Sequence, residues 1–187
     1  MVVPLYVSDR SVALPGWLDR ESLMSSNDDY ERFFLANYDA VLNILVLTTG
    51  DRERATDATQ EAFIKAYAKW SKIRHYDAPS AWVRRVAINA SHDSFRAERR
   101  RRRREQALPP SAHGSHTDRY SSEHTVSDLL HALPARQREV ATLFYVDDRS
   151  VAEIAAILGL TDGTVKYHLA HARDGLRRLL DGEPGAS

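Results

Sequence analysis

A chain of 187 residues has room for one large or two small domains. Lysine plus arginine and aspartate plus glutamate both number 26, so the formal charge is zero; this excludes a uniformly basic nucleic-acid coat and leaves local patches open. Without cysteine there is neither a disulfide framework nor a thiolate metal site. No apolar run approaches the roughly 18 residues of a membrane helix, and the N-terminus lacks the basic stretch and apolar core of a secretion signal. A soluble cytoplasmic protein with no membrane insertion is expected. Glycine and proline are few and sit mostly outside the periodic stretches, which favours an all-α fold.

Residues 1–27 show no clear period, and Pro4, Pro15 and Gly16 interrupt them. A loose extension is expected there, with Trp17 the one hint of docking. The spacing predicts a first helix over 28–49, where Tyr30, Phe33, Phe34, Tyr38, Val41, Leu42, Leu45 and Val46 form a broad apolar stripe. A second helix is predicted over 51–71, with Ala55, Ala58, Ala62, Phe63, Ala66, Tyr67 and Trp70 on one face. Its first half carries Asp57, Gln60 and Glu61 at i, i+3 and i+4, side by side on the surface. Such a cluster reads first as a solvated face. Paired carboxylates also invite acid chemistry, but no desolvating pocket adjoins them, so no catalytic residue is expected.

Residues 72–79, KIRHYDAP, break the pattern with basic and aromatic groups and a proline. A third helix is predicted over 80–104, with Trp82, Val83, Val86, Ala87, Ala90 and Phe95 inside and Arg84, Arg85, Asn89, His92 and Arg96 outside. It ends in six arginines, Arg99 to Arg104. That run suits phosphates, and it equally suits the negative end of a helix dipole. Residues 105–122, with paired prolines, Gly114 and several serines, read as a flexible polar linker between two domains. His113 and His116 lie within it without acidic or thiol neighbours, so no metal and no cofactor is expected.

Beyond the linker, a short helix is predicted over 123–133, Pro134 opens another over 135–146, and Asp147-Asp148 closes it. From Val151 to Arg173 the chain has the layout of a helix-turn-helix. Ala152, Ile154, Ala155, Ile157 and Leu158 give one helix its apolar side, Gly159 makes the turn, and Thr161 or Asp162 caps the next. Val165, Leu169, Ala172 and Leu176 would face inward, leaving Lys166, Tyr167, Ala170, His171 and Asp174 outside. A groove-reading helix needs that division; an ordinary antiparallel helix pair would show the same apolar spacing. His168 and His171, three residues apart, fit a solvent- or DNA-facing surface better than a metal pair. Gly182, Pro184 and Gly185 mark a tail over 182–187.

Two separate motifs in this order carry a family resemblance. The first is Asp57-Ala58-Thr59-Gln60-Glu61-Ala62-Phe63 followed by Trp82-Val83-Arg84-Arg85-Val86-Ala87-Ile88-Asn89. The second is Leu133-Pro134-Ala135-Arg136-Gln137-Arg138-Glu139-Val140, followed by Ile154 to Gly159 and Gly163-Thr164-Val165-Lys166. Over about residues 28–180 the chain resembles an extracytoplasmic-function (ECF) sigma factor of bacterial RNA polymerase, in the sigma-70 family.

The resemblance implies two small helical domains, sigma region 2 over 28–104 and sigma region 4 over 123–181. It implies RNA polymerase core and promoter DNA as partners, an anti-sigma factor as a further one, and no enzymatic activity. It puts the polymerase-core contact at Asp57, Gln60, Glu61 and Phe63, whose charged members suit a basic helix. It puts minus-ten recognition at Ile73, Arg74, His75, Tyr76 and Asn89, where a flipped base needs an apolar or aromatic wall and an amide. It puts minus-thirty-five recognition at Thr164, Lys166, Tyr167, Ala170, His171 and Arg173. Tyr167-His168 and His171 depart from the common pattern there, which bears on the preferred DNA sequence. The competing reading is a free-standing helix-turn-helix regulator, which needs only the second motif.

Overall fold

The computed structural model describes residues 20–105 and 125–181, with side chains over 27–104 and 125–181. The predicted linker after Glu105, His113 and His116 within it, and the tail over 182–187 lie outside the described residues. Among the described residues the regular structure is helical throughout: α1 (Arg20–Thr49), α2 (Arg52–Ala68), α3 (Trp70–Ile73), α4 (Pro79–Glu105), α5 (Val126–His131), α6 (Ala135–Tyr145), α7 (Val151–Leu158) and α8 (Asp162–Leu180). None of these helices is long and apolar enough to cross a membrane.

The N-terminal group comprises α1 to α4. α1 starts at Arg20, inside the stretch expected to be loose, and its 30 residues make it about 45 Å long. Gly50 ends it with φ +72°, and Asp51 caps α2 by accepting from the Arg54 N–H at 3.1 Å. Ala55, Ala58, Ala62 and Ala66 give α2 a narrow inner face. Phe63 fills the space beside them, with the rings of Phe34, Tyr38 and Phe33 centred 5.1, 5.5 and 6.1 Å away. Burying one such side chain stabilises the fold by about 1.5–3 kcal/mol. Trp70 stacks on Phe33 at 4.8 Å, and the Tyr30 hydroxyl donates to the Phe63 carbonyl at 2.7 Å. Burial, with Tyr67 nearby, pushes the Tyr30 phenol up to about 12.

Two residues of this group expected inside lie outside. Tyr67 is 59 % exposed and only edges onto Tyr30, and Phe95 is 61 % exposed on α4. Ile88 takes an interior place on α4 with Val83 and Ala87.

The C-terminal group is built from shorter helices with side-chain caps. Thr125 and Asp128 form a capping box on α5, and Ser150 and Glu153 form one on α7. Thr161 caps α8 through the Thr164 N–H at 3.2 Å. Gly159, at φ +66° and ψ 39°, is the left-handed residue that turns α7 into α8. Leu143, Ile154, Ile157, Val165 and Leu169 are buried between α6, α7 and α8.

The two groups pack on each other, α1 against α5 and α6, and α4 against α7. Buried side chains from both belong to one continuous apolar cluster, running from Val41 and Phe63 to Ile154 and Leu169. Arg84 and His92, expected on the outer surface of α4, lie in this junction.

Candidate functional site

Three surfaces collect the residues singled out in the sequence. The first is the outer side of α2. Because its alanines hold the inner side against α1, Asp57, Gln60 and Glu61 are all exposed. Glu61 pairs with Lys65 one turn on, at 2.5 Å; such a pair is weak and leaves the carboxylate available. Phe63, expected to touch a partner, is only 2 % exposed, because it is the centre of the aromatic core. Ile64 is instead 69 % exposed, one turn beyond Gln60, and Tyr67 follows on the same side. The predicted apolar face of this helix leaves Ile64 out, but nothing in the sequence marked it as part of the surface beside Gln60.

The second surface follows α3 and continues on α4. Arg74, His75 and Tyr76 are exposed. The structure brings the first two together: Arg74 Nε donates to His75 Nε2 at 3.1 Å, and the guanidinium lies 3.7 Å from Asp29. Ile73 is fully buried and presents nothing to a base; it anchors the loop from beneath. Asn89 is exposed on α4, with no side-chain hydrogen bond among the described residues. Trp82 is half-buried and packs on the core. The arginine run is helical and exposed over 99–104. Glu98 takes hydrogen bonds from Arg101 and Arg102, whose bonds and charges hold its carboxyl below the usual carboxylate range.

The third surface is the outer side of α8. Val165, Leu169 and Ala172 are buried, which turns Lys166, Tyr167, Ala170, His171 and Arg173 outward. Thr164 is half-buried, its hydroxyl 2.9 Å from that of Thr161, so it belongs as much to the cap as to the surface. The Tyr167 ring lies 4.2 Å from His171 and 5.4 Å from His168. Lys166 has no acidic partner among the described residues, which suits an anionic ligand. Arg173 Nε donates to the Tyr145 hydroxyl at 2.9 Å, so a residue from the end of α6 joins this surface. Tyr145 precedes the turn after α6 and carries no local signal of that role. Among the described residues no cluster of three or more histidines and carboxylates is arranged to hold a metal.

The family model for Sigma-70 region 2 matches residues 33–101, and that for Sigma-70, region 4, matches residues 124–175. The RNA polymerase sigma-E factor of Streptomyces coelicolor is 30% identical over 152 residues, covering 81% of this chain and 86% of that protein. The ECF RNA polymerase sigma factor SigM of Mycobacterium tuberculosis is 30% identical over 154 residues, covering 81% of this chain and 76% of that protein. The fold is similar to that of the sigma factor RpoE from Bartonella quintana, solved in complex with the anti-sigma factor NepR, with a TM-score of 0.69 at 24% identity over 83% of this chain and 99% of that one.

Proposed function

This chain belongs to the sigma-70 family as an RNA polymerase sigma factor of the ECF type, and from that premise we propose that its helical groups divide the work of initiation between the three surfaces. Sigma factors of this family direct core polymerase to promoters; we read the chain as having no catalysis of its own. The N-terminal group, over about 28–104, serves as region 2. Its α2 surface, with Asp57, Gln60 and Glu61, docks on core polymerase, where exposed carboxylates steer toward a basic partner. Ile64 and Tyr67 add apolar area beside them.

Arg74, His75, Tyr76 and Asn89 meet the minus-ten element. An opened base stacks on an aromatic face and bonds to an amide, and exposed His75, Tyr76 and Asn89 supply both. The C-terminal group, over about 123–181, serves as region 4 and places α8 in the major groove of the minus-thirty-five element. Lys166 donates toward guanine acceptors, Tyr167 and His171 meet base edges, and Arg173 and Thr164 lie toward phosphates. An anti-sigma factor is a further proposed partner. The observation that carries this reading is the coexistence of the acidic α2 surface and the polar α8 surface on one chain, since a free-standing regulator needs only the second.

Run-off transcription with purified core polymerase tests it: promoter-dependent transcripts are expected with the wild-type chain. Asp57→Ala combined with Glu61→Ala should weaken core binding and leave DNA binding intact. Equal core affinity for mutant and wild type would refute the α2 assignment.

A further inference from the structure

The arginines of α4 are sorted by the turn of the helix. At about 100° per residue, Arg85, Asn89, Arg99, Arg100, Arg103 and Arg104 fall within about 140° of one another. All six are exposed. Val83 and Ala87 bury the opposite side, and Glu98, Arg101 and Arg102 continue that side toward the end of α4. There Glu98 accepts from Arg102 Nε at 2.7 Å and from Arg101 Nε at 3.1 Å. Of the run from Arg99 to Arg104, two members are thus tied to a carboxylate, and four face outward with no acidic partner among the described residues. Arg85 has none either. Asp93 is the one carboxylate on the outer side of α4 among the described side chains, and it lies 3.5 Å from Arg96. The helix dipole does not account for this layout, because its influence is confined to the last turn, which Arg85, Arg99 and Arg100 precede.

Resting on the reading of Asn89 as a minus-ten residue, we propose that the outer side of α4 is a further DNA-binding site, a sequence-neutral clamp on the phosphates of the duplex just upstream of the minus-ten element. Asn89 and Arg104 are about 22 Å apart along the axis, the length of about six base pairs. The direction follows from the chain. α4 leads into the segment that joins region 2 to region 4, and region 4 reads the upstream element. The arginines at the end of α4 therefore lie toward the spacer, and Arg85 lies on the other side of Asn89.

The chemistry favours duplex. A guanidinium fork matches phosphate oxygens and carries no sequence preference of its own. A single strand would need stacking rings between the cations. Between Asn89 and Arg104 the outer side has none free: His92, at its edge, is bonded to Glu139 at 2.6 Å, and Phe95 projects to the flank.

Two variants of equal charge isolate the geometry: Arg99→Gln with Arg103→Gln on the outer side, and Arg101→Gln with Arg102→Gln on the other. The full chain is titrated at several salt concentrations with a duplex of about 30 base pairs of mixed sequence. The outer pair should lower the salt slope by about two and the affinity about ten-fold at moderate salt. The other pair should lower affinity about two-fold and move the slope by less than half as much. Glutamine keeps helix propensity close to that of arginine; if circular dichroism still shows lost helix, Arg100→Gln with Arg104→Gln replaces the outer pair. Equal losses for the two pairs, no loss for the outer pair, or tighter binding to single-stranded RNA or to polyglutamate than to duplex would overturn the proposal.

Placement is tested in the holoenzyme, on a promoter located by transcript mapping. Methylphosphonates in about six base pairs upstream of minus-ten should weaken the wild-type complex about ten-fold and leave the outer-pair variant nearly unchanged. A loss seen only with the same replacements downstream, or none in either place, would overturn the placement. A chain that yields no promoter-dependent transcript would sink the sigma-factor reading separately, while the mixed-sequence titration still decides the site.

Discussion

Aromatic rings fill the N-terminal group. Phe33, Phe34 and Tyr38 surround Phe63 while Trp70 stacks on Phe33, on helices of up to 30 residues. The C-terminal group has a branched aliphatic interior of Leu143, Ile154, Ile157, Val165 and Leu169, on helices as short as six and eight residues. Isolated helices of that length are marginal in water, so α5 and α7 depend on capping boxes and on packing, whereas α1 and α2 are long and hold each other through rings. The first group is thus stabilised by its interior and the second by its helix ends as well. This difference allows the second to keep a narrow core and still turn most of α8 outward.

Removing the central ring should separate the two groups most sharply. Phe63→Ala is expected to cost about 4 kcal/mol, because the transfer loss adds to a cavity that the three neighbouring rings cannot collapse into. Leu143→Ala in the other group should cost about 3 kcal/mol. Urea unfolding followed by circular dichroism checks both, and equal losses would mean that the ring lattice adapts as readily as the aliphatic core.

The next effect belongs to the junction and is pH-dependent. Burial works against ionised Glu139, but the hydrogen bond and charge of His92 and the charge and hydrogen bond of Arg136 outweigh it and hold the carboxyl below its ordinary value. A lowered value in the packed state means that its contribution is present above the unfolded value, near 4.3, and is lost as pH falls through the lower packed-state value. The wild type should therefore lose stability on acidification below about pH 4. Glu139→Gln should lack that part of the acid dependence. Parallel stability–pH curves for the two proteins would show that Glu139 does not titrate with folding.

A smaller change probes the helix ends. Ser150→Ala removes the oxygen that accepts from the Glu153 N–H at 3.3 Å and the hydroxyl that bonds the Glu153 carboxylate at 2.8 Å. About 1 kcal/mol should be lost. Thr56→Ala, on exposed α2 away from any cap, should change stability far less. If the two substitutions cost the same in thermal melts, the second group does not lean on its caps.

How much of this was legible in the sequence depends on what each helix packs against. α8 has one buried side, so a single apolar period assigned Val165, Leu169 and Ala172 inward and Lys166, Tyr167, Ala170 and His171 outward. α4 touches α1 and α2 on one side and α7 on another. A one-stripe reading therefore put Arg84 in solvent and Phe95 in the core, both opposite to the structure, and left His92 in solvent where it is half-buried against Glu139. Arg84 is inside only because Asp147, in another part of the chain, neutralises it, and no local periodicity encodes such a partner. Phe63 and Ile73 were singled out beside true surface residues by their place in a motif, yet their own apolar character had already placed them within.

The smallest expected effect concerns how the aliphatic group supports its outer surface. Tyr145 is half-exposed at the end of α6, and its hydroxyl accepts from Arg173 Nε on α8. The bond fixes the guanidinium in one plane while the other nitrogens stay free for a phosphate oxygen, which saves rotamer freedom that binding would otherwise remove. Tyr145→Phe keeps the ring and deletes only the acceptor. At an exposed site such a bond is worth about 0.5 kcal/mol, so affinity for minus-thirty-five DNA should fall about two-fold. Arg173→Ala should weaken binding further and reduce its salt dependence by about one ion, because it removes the charge itself. Titrations at several salt concentrations distinguish the two cases. If Tyr145→Phe lowered the salt slope as Arg173→Ala does, the tyrosine would be holding the arginine on the DNA outright; if it changed neither affinity nor slope, the hydrogen bond would have no part in recognition.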